Sequence, residues 1–257
     1  MSRAMTLDRQ LEREGAALFR WRSYVPLVLA PLALIATAQS GYFEQRFGHV
    51  PVQAWMVFCL VLCFLGLALR AVTVAYVPGA SSGRNTREQR AETLNTTGAY
   101  SVLRNPLYLG NYLTLLGFSL ATKAWWFPVI ATLGFALYYE RIIWAEECFL
   151  RRKFGETFIQ WAERTPAFLP DLRLWRRPQL PFSLRAVLRR EYSGFYLIVV
   201  VMTLIELSGA ILGEGMSFAA WWARDYLWVG GLAAATVIFL SLRALKRHTS
   251  LLRVPGR

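Results

Sequence analysis

Residues 52–77 read V-Q-A-W-M-V-F-C-L-V-L-C-F-L-G-L-A-L-R-A-V-T-V-A-Y-V, and Arg70 is the one charged side chain among them. A helix of that length rises about 39 Å, more than the roughly 30 Å hydrocarbon core of a bilayer. No proline interrupts it. Five further apolar blocks surround it, at 24–39, 107–122, 124–148, 195–211 and 218–242. The expected fold is all-α and integral to the membrane: about six transmembrane helices, cytoplasmic loops and a short membrane-surface helix. The blocks at 24–39 and 107–122 are short for a full crossing, which tilt or local thinning accommodates. Only Lys123 and its neighbours separate the third block from the fourth, so these two form a tight helical hairpin. Trp125 and Trp126, and Trp221 and Trp222, suit the aromatic belts of an interface.

The composition fits. The 257 residues are 55% hydrophobic and only 18% charged, whereas a soluble domain is about 25% charged. Twenty-nine basic against 16 acidic residues give a net charge of +13. In a soluble chain that excess suggests nucleic acid. Here its distribution gives it another meaning, and no nucleic-acid partner is expected. With the N-terminus inside and six crossings, 24 basic residues fall in inside segments and 3 in outside loops, Arg46, Lys123 and Arg224. That is a strong positive-inside bias. Lysine is rare among the basic residues, as in GC-rich bacterial genomes. The expected location is a bacterial cytoplasmic membrane with both termini cytoplasmic. The start of the chain, with Arg3, Asp8, Arg9, Glu12, Arg13 and Glu14, is too polar for a secretory signal.

Metal chemistry has little to work with. Cys59 and Cys63 lie in an apolar run and Cys148 stands alone. His49 and His248 have no neighbouring ligands in sequence, so no metal site is expected. No repeat of 20–50 residues is visible either. That argues against a transporter of the inverted-repeat type, the rival reading alongside a non-catalytic membrane scaffold.

Two polar stretches stand out beside the apolar blocks. The first, residues 96–111, is T-T-G-A-Y-S-V-L-R-N-P-L-Y-L-G-N. Gly98 permits a tight turn or a close ligand approach. Pro106 suits the first turn of a helix whose N-terminus favours a carboxylate or phosphate, with Arg104 just before it. Tyr100, Tyr108 and Tyr112 can pack against an adenine ring or a cation. The bland alternative is a loop-to-helix junction with interfacial tyrosines. The second stretch begins at Glu140, where the fourth block turns charged: Y-Y-E-R-I-I-W-A-E-E. Arg141, Glu146 and Glu147 lie at or just beyond the cytoplasmic boundary. Phe154, Phe158, Ile159 and Trp161 then share a face of a membrane-surface helix. A basic stretch, 173–190, follows and would attract anionic headgroups or simply anchor the chain.

Together these stretches resemble the isoprenylcysteine carboxyl methyltransferase family and its phospholipid N-methyltransferase relatives. G-A-Y-S-V-L-R-N-P-L-Y-L-G resembles that family's G-x-Y-x-x-x-R-H-P-x-Y-x-G. Glu146-Glu147, F-G-E-T-F-I-Q-W and R-T-P-A-F-L-P follow in the family's order, and Arg70 resembles its arginine late in the preceding helix. The resemblance covers roughly residues 67–170. The apolar blocks and charges divide the chain into a cytoplasmic amphipathic segment at 1–23, a membrane core at 24–170, and a basic loop with an appended helical pair at 171–257. The resemblance implies S-adenosylmethionine as cofactor and a lipid or prenyl-linked acceptor entering from the bilayer. The implied cofactor residues are Gly98, Tyr100, Arg104, Asn105, Pro106, Tyr108, Gly110, Glu146 and Glu147. Arg141 and Asn105 are the candidate catalytic residues, Arg141 to orient the acceptor. Asn105 stands where the family has His, and Phe158 and Trp161 where it has tyrosines. Asn is no general base, which tilts the expectation toward an anionic oxygen acceptor over an amine. Arg70 and Glu206 are the remaining intramembrane charges; they can pair with each other, and Arg70 is also near enough to Val77 to snorkel toward the cytoplasm or reach the site.

Overall fold

The computed structural model describes residues 6–22, 25–78, 91–254 and 256. Arg84, Arg87 and Arg90, three of the inside charges, lie outside the described residues. Eleven α-helices and no strands occur among those described. They are α1 (Leu7–Trp21), α2 (Ala30–Ala38), α3 (Gly41–Phe47), α4 (His49–Ala75), α5 (Ala99–Val102), α6 (Pro106–Ala121), α7 (Trp126–Phe154), α8 (Glu156–Arg164), α9 (Leu184–Ser208), α10 (Phe218–Arg224) and α11 (Tyr226–His248). The protein is an all-α membrane protein. Four helical segments are long and apolar enough to cross a bilayer: Leu27–Phe47, His49–Ala75, Leu184–Gly213 and Tyr226–His248. The α6–α7 hairpin differs in kind. At 16 residues α6 rises about 24 Å. Helix α7 has 29 residues, but only its first half is apolar. From Glu140 onward it carries seven charged side chains and projects beyond the apolar zone.

Local sequence explains the boundaries. Pro106 opens α6 at a first-turn position where its missing N–H is harmless. Ser183 and Ser217 cap α9 and α10 through their hydroxyls. Gly155, at φ +54°, ends α7 and starts α8 in a conformation that L side chains rarely adopt. Lys123, at φ +64°, makes the corresponding turn between α6 and α7 without that advantage.

Helices α4 and α6 approach each other through small residues. A Cβ on Gly66 would sit 2.4 Å from the Gly110 carbonyl oxygen, and one on Gly117 would meet the Cys63 sulfur at 2.4 Å. The core continues from this seam through Met56, Cys59, Cys63 and Ala121 to Ile198, Met202 and Ile205 of α9. Cys59 and Cys63 are therefore helix-packing residues, fully buried and free. Helix α11 packs along α9 and leaves most of its surface to the lipid.

The ends of the bundle are both polar, and they are different. At the arginine-rich end, α1 runs antiparallel to the charged half of α7. Gly15 touches the Arg141 carbonyl, Tyr138 donates to the Leu18 carbonyl at 2.9 Å, and Arg152 pairs with Glu12. At the opposite end, Gln53 donates to Glu206 and accepts from Trp228. His49 bridges Glu44 and Asp225, and Arg224 holds both Asp225 and Glu214. Glu206 thus belongs to the far end, beside Lys123 at 3.8 Å. Arg70 and Glu206 therefore do not pair with each other. Helices α4 and α9 are antiparallel, so Arg70, near the end of α4, lies level with the start of α9 and not with its last turns.

The glycine seam makes a stability prediction. Gly66→Val forces α4 and α6 apart and should cost about 1–3 kcal/mol, the usual penalty for overpacking. Gly134→Ala is the control, because a Cβ there meets nothing within 4 Å. Thermal unfolding in detergent should show a lowered midpoint for the first variant and no loss for the second.

Candidate functional site

The site is built where the 98–105 loop, the charged half of α7 and the chain after α8 converge. Gly98 takes φ +60°, ψ −134°, and its N–H donates to the Arg176 carbonyl at 2.9 Å. Its neighbour in space is Pro178. Further bonds stitch the loop to the same strap of chain. Arg104 N–H donates to the Pro166 carbonyl, Asp171 N–H to the Val102 carbonyl, and Arg176 N–H to the Ser101 hydroxyl. Trp161 Nε1 donates to the Tyr100 carbonyl at 3.2 Å. An indole thus holds the loop from a position where the resembling family has a phenol.

The two motifs meet across this junction. Arg104 Nη1 lies 2.8 Å from Glu147 Oε1, although 43 residues separate them. The Nε of Arg104 is buried without a hydrogen-bond partner. Glu146, the neighbour of Glu147 on α7, lies beside the Tyr108 hydroxyl of α6. Burial pushes its carboxyl up to about 6, against the opposing effects of Tyr108 and the nearby Arg22 guanidinium. Burial raises Glu147 too, while Arg104 works against it. The Tyr100 hydroxyl is raised above the usual phenol range by burial and by Glu146. A cleft of about 820 Å³ opens beside Arg104, bordered by Arg164, Thr165, Leu169 and Arg173.

Other sequence candidates point elsewhere. The Asn105 amide donates to the Ala167 carbonyl at 3.1 Å and so secures the strap. Arg141 bonds Glu14 of α1 at 3.2 Å and its own helix at the Leu137 carbonyl, on the face of α7 that meets α1. Gly110 serves the α4–α6 seam, where the Arg70 side chain lies across it. Pro106 is buried at the head of α6.

Arg70 was legible through the family resemblance, but its partners were not. Arg70 Nε and Nη2 donate to both oxygens of Glu191, each at 2.9 Å, in a two-point pair. Its Nη1 donates to Asn111 at 2.6 Å, and the Asn111 amide donates to Tyr139 at 3.0 Å. Tyr139 in turn packs on Tyr108, with ring centroids 4.6 Å apart. Hydrogen bonds therefore run from Glu191 of α9 to Tyr139, and ring contact carries the connection to Tyr108, beside Glu146. The single available hint was that Glu191 stands alone as an acid among Arg185, Arg189 and Arg190.

A membrane bundle that pairs an arginine before a proline-headed helix with a Glu-Glu dipeptide defines a class. The family model for phospholipid methyltransferases matches residues 55–157, from α4 to the first residues of α8. The chain belongs to the family of integral-membrane methyltransferases that includes these and the isoprenylcysteine carboxyl methyltransferases. Among curated relatives it is similar to the cobalt-zinc-cadmium resistance protein CzcN of Cupriavidus metallidurans. The identity is 36% over 178 residues, covering 68% of this chain and 72% of that protein. The nickel-cobalt-cadmium resistance protein NccN of Alcaligenes xylosoxydans is 38% identical over 171 residues, 66% of this chain and 71% of that protein. Protein-S-isoprenylcysteine O-methyltransferase B of Arabidopsis thaliana is 31% identical over 127 residues, 46% of this chain and 61% of that protein. No solved structure matches.

The Arg70–Glu191 pair lies beyond the family match on one side and within it on the other. Glu191→Ala leaves a guanidinium buried without its counter-charge and should cost about 3–5 kcal/mol. Replacing both residues together, by Met and Leu, should cost much less than the single change. A double-mutant cycle by thermal unfolding measures the difference; additive effects would show that the pair is not coupled.

Proposed function

We propose that the protein transfers a methyl group from S-adenosylmethionine to a membrane-embedded acceptor, at the face formed by the 98–105 loop and the charged half of α7. The observation that carries this reading is the Arg104–Glu147 ion pair, which brings the two motifs into one site. The cofactor's functional groups suit the residues present. The buried, unpartnered Nε of Arg104 fits a carboxylate. Glu146 and Glu147 fit an ammonium group or ribose hydroxyls, and Tyr100 and Tyr108 border the same space. Bound there, S-adenosylmethionine supplies an electrophilic methyl group on a sulfonium.

The residues of this chain position and shield. Methyl transfer is an in-line displacement, so most of its acceleration comes from orientation and exclusion of water. The strap covers the loop, and the acceptor enters from the bilayer. The acceptor we favour is an anionic oxygen, a carboxylate or a phosphate on a lipid or prenyl-linked molecule. Such an oxygen needs no base, and Asn105, the residue at the motif's histidine position, is occupied with the strap. A phospholipid amine is the competing acceptor, favoured by the name of the matching family model. The positive-inside bias puts this face in the cytoplasm, with a bacterial cytoplasmic membrane as the setting.

The names of the bacterial relatives connect them with resistance to cobalt, zinc, cadmium and nickel. Methylating an anionic headgroup offers a chemical route to such a phenotype, because each methyl ester removes a negative charge that attracts divalent cations.

Calorimetric titration with S-adenosylhomocysteine tests cofactor binding directly. Arg104→Ala and Glu147→Gln should each weaken it by about tenfold or more, the value of a charge-assisted hydrogen bond. Failure of the folded wild-type protein to bind would rule the reading out. Full affinity in both variants would misplace the site. Affinity should also depend on pH. The carboxylate form of Glu146 is the binding form, so affinity should fall as pH drops below about 6. The decline should approach about tenfold per pH unit, and Glu146→Gln should abolish it. Lipid extracts from cells with and without the protein should differ by a species about 14 Da heavier, one CH2.

A further inference from the structure

The strap from Arg164 to Arg185 has a second surface, facing away from the loop it covers. Leu169 is 82% exposed, Leu172 74%, Phe182 54% and Trp175 52%. Phe168 and Leu184 are exposed as well. Interleaved with them stand Arg164, Arg173, Arg176, Arg177 and Arg185, all exposed, against one acid in the segment, Asp171. Large apolar side chains are rarely left in water in such a group.

The position of the strap identifies what covers them. Ser183 N–H donates to the Ala75 carbonyl, so the strap ends against the last residue of the membrane-crossing α4. Phe182 packs edge-on against Tyr76, with ring centroids 5.7 Å apart. At 27 residues α4 is about 40 Å long and reaches through the hydrocarbon into the headgroup layer. The strap therefore lies at headgroup depth. Aromatic and leucine side chains with interspersed arginines are the composition of a membrane-surface segment, and the arginines select for negative charge.

We propose that residues 164–185 form a docking surface for anionic phospholipid in the leaflet at the basic end of the bundle. Leu169, Leu172, Trp175 and Phe182 enter the acyl boundary, and Arg173, Arg176 and Arg177 bind headgroup phosphates. The strap's other side holds Gly98, Ser101 and Arg104 by hydrogen bonds, so lipid docking restrains the site loop from outside. The surface is independent of whether methyl transfer takes place.

The test uses the full-length protein in nanodiscs. A nitroxide is attached at Leu169→Cys, and separately at Trp175→Cys, in a Cys148→Ser background; Cys59 and Cys63 are buried. Spin relaxation by oxygen against a water-soluble nickel chelate reports depth. In discs with about one third phosphatidylglycerol, both labels should favour oxygen. In pure phosphatidylcholine they should lie nearer water. Arg173→Gln/Arg176→Gln/Arg177→Gln should remove the difference, since each arginine near an anionic surface is worth roughly a fivefold preference. Labels exposed to the chelate in both lipids would overturn the proposal. Burial at equal depth in both lipids would overturn the anionic part, leaving an apolar anchor. The thermal unfolding midpoint of the triple variant, measured in phosphatidylcholine, separates a folding defect from a loss of lipid selectivity. The expected result is the wild-type midpoint.

Discussion

A guanidinium in an apolar helix has to be paired, and Arg70 shows what that demand does to a membrane bundle. Water at that depth is scarce, and an isolated charge there costs several kcal/mol. The side chain lies over Gly110, which only the absence of a Cβ permits. From there it reaches Glu191 of α9 and Asn111 of α6. Three helices are thereby fixed in register at one level. Asn111 holds Tyr139, Tyr139 packs on Tyr108, and Tyr108 lies beside Glu146. The geometry of the carboxylate pair is thus tied to a contact near the basic end of the bundle.

That arrangement gives the segments outside the family match a role in the site. Helix α1 packs along α7 through Gly15 and places Arg22 near Glu146. Helix α9 supplies Glu191. The strap supplies the carbonyls that receive Gly98, Arg104 and Asn105. Residues 171–257 read in sequence as a basic loop and an appended pair of helices. In the structure their first part meets the 98–105 loop through two backbone hydrogen bonds and a third to the Ser101 hydroxyl. The charges at the far end of the bundle, Glu206 among them, form a separate network that ties α3, α4, α9 and α10 together.

The helical membrane fold and the two polar stretches were legible because their signals are local. Apolar length, a proline at a helix start and a glycine at a turn each act within a few residues. The meeting of Arg104 with Glu147 was anticipated only through family resemblance. Asn105 and Arg141 show the limit. Both belong to chemically suggestive positions, yet Asn105 is drawn to Ala167 and Arg141 to Glu14. Their partners come from segments whose placement no local rule specifies.

By itself the sequence determined that the chain is a helical membrane protein, which stretches are basic, and that a charged residue in α4 must find a partner. These follow from the cost of exposing backbone and charge to lipid, a cost that depends on residue type and run length. Only the tertiary structure decided which partner that is. Arg70 and Glu191 are 121 residues apart, and Glu206 offered the same chemistry. The choice was made by depth: antiparallel helices bring residues to the same level in the bilayer, and a salt bridge forms only between charges at the same level.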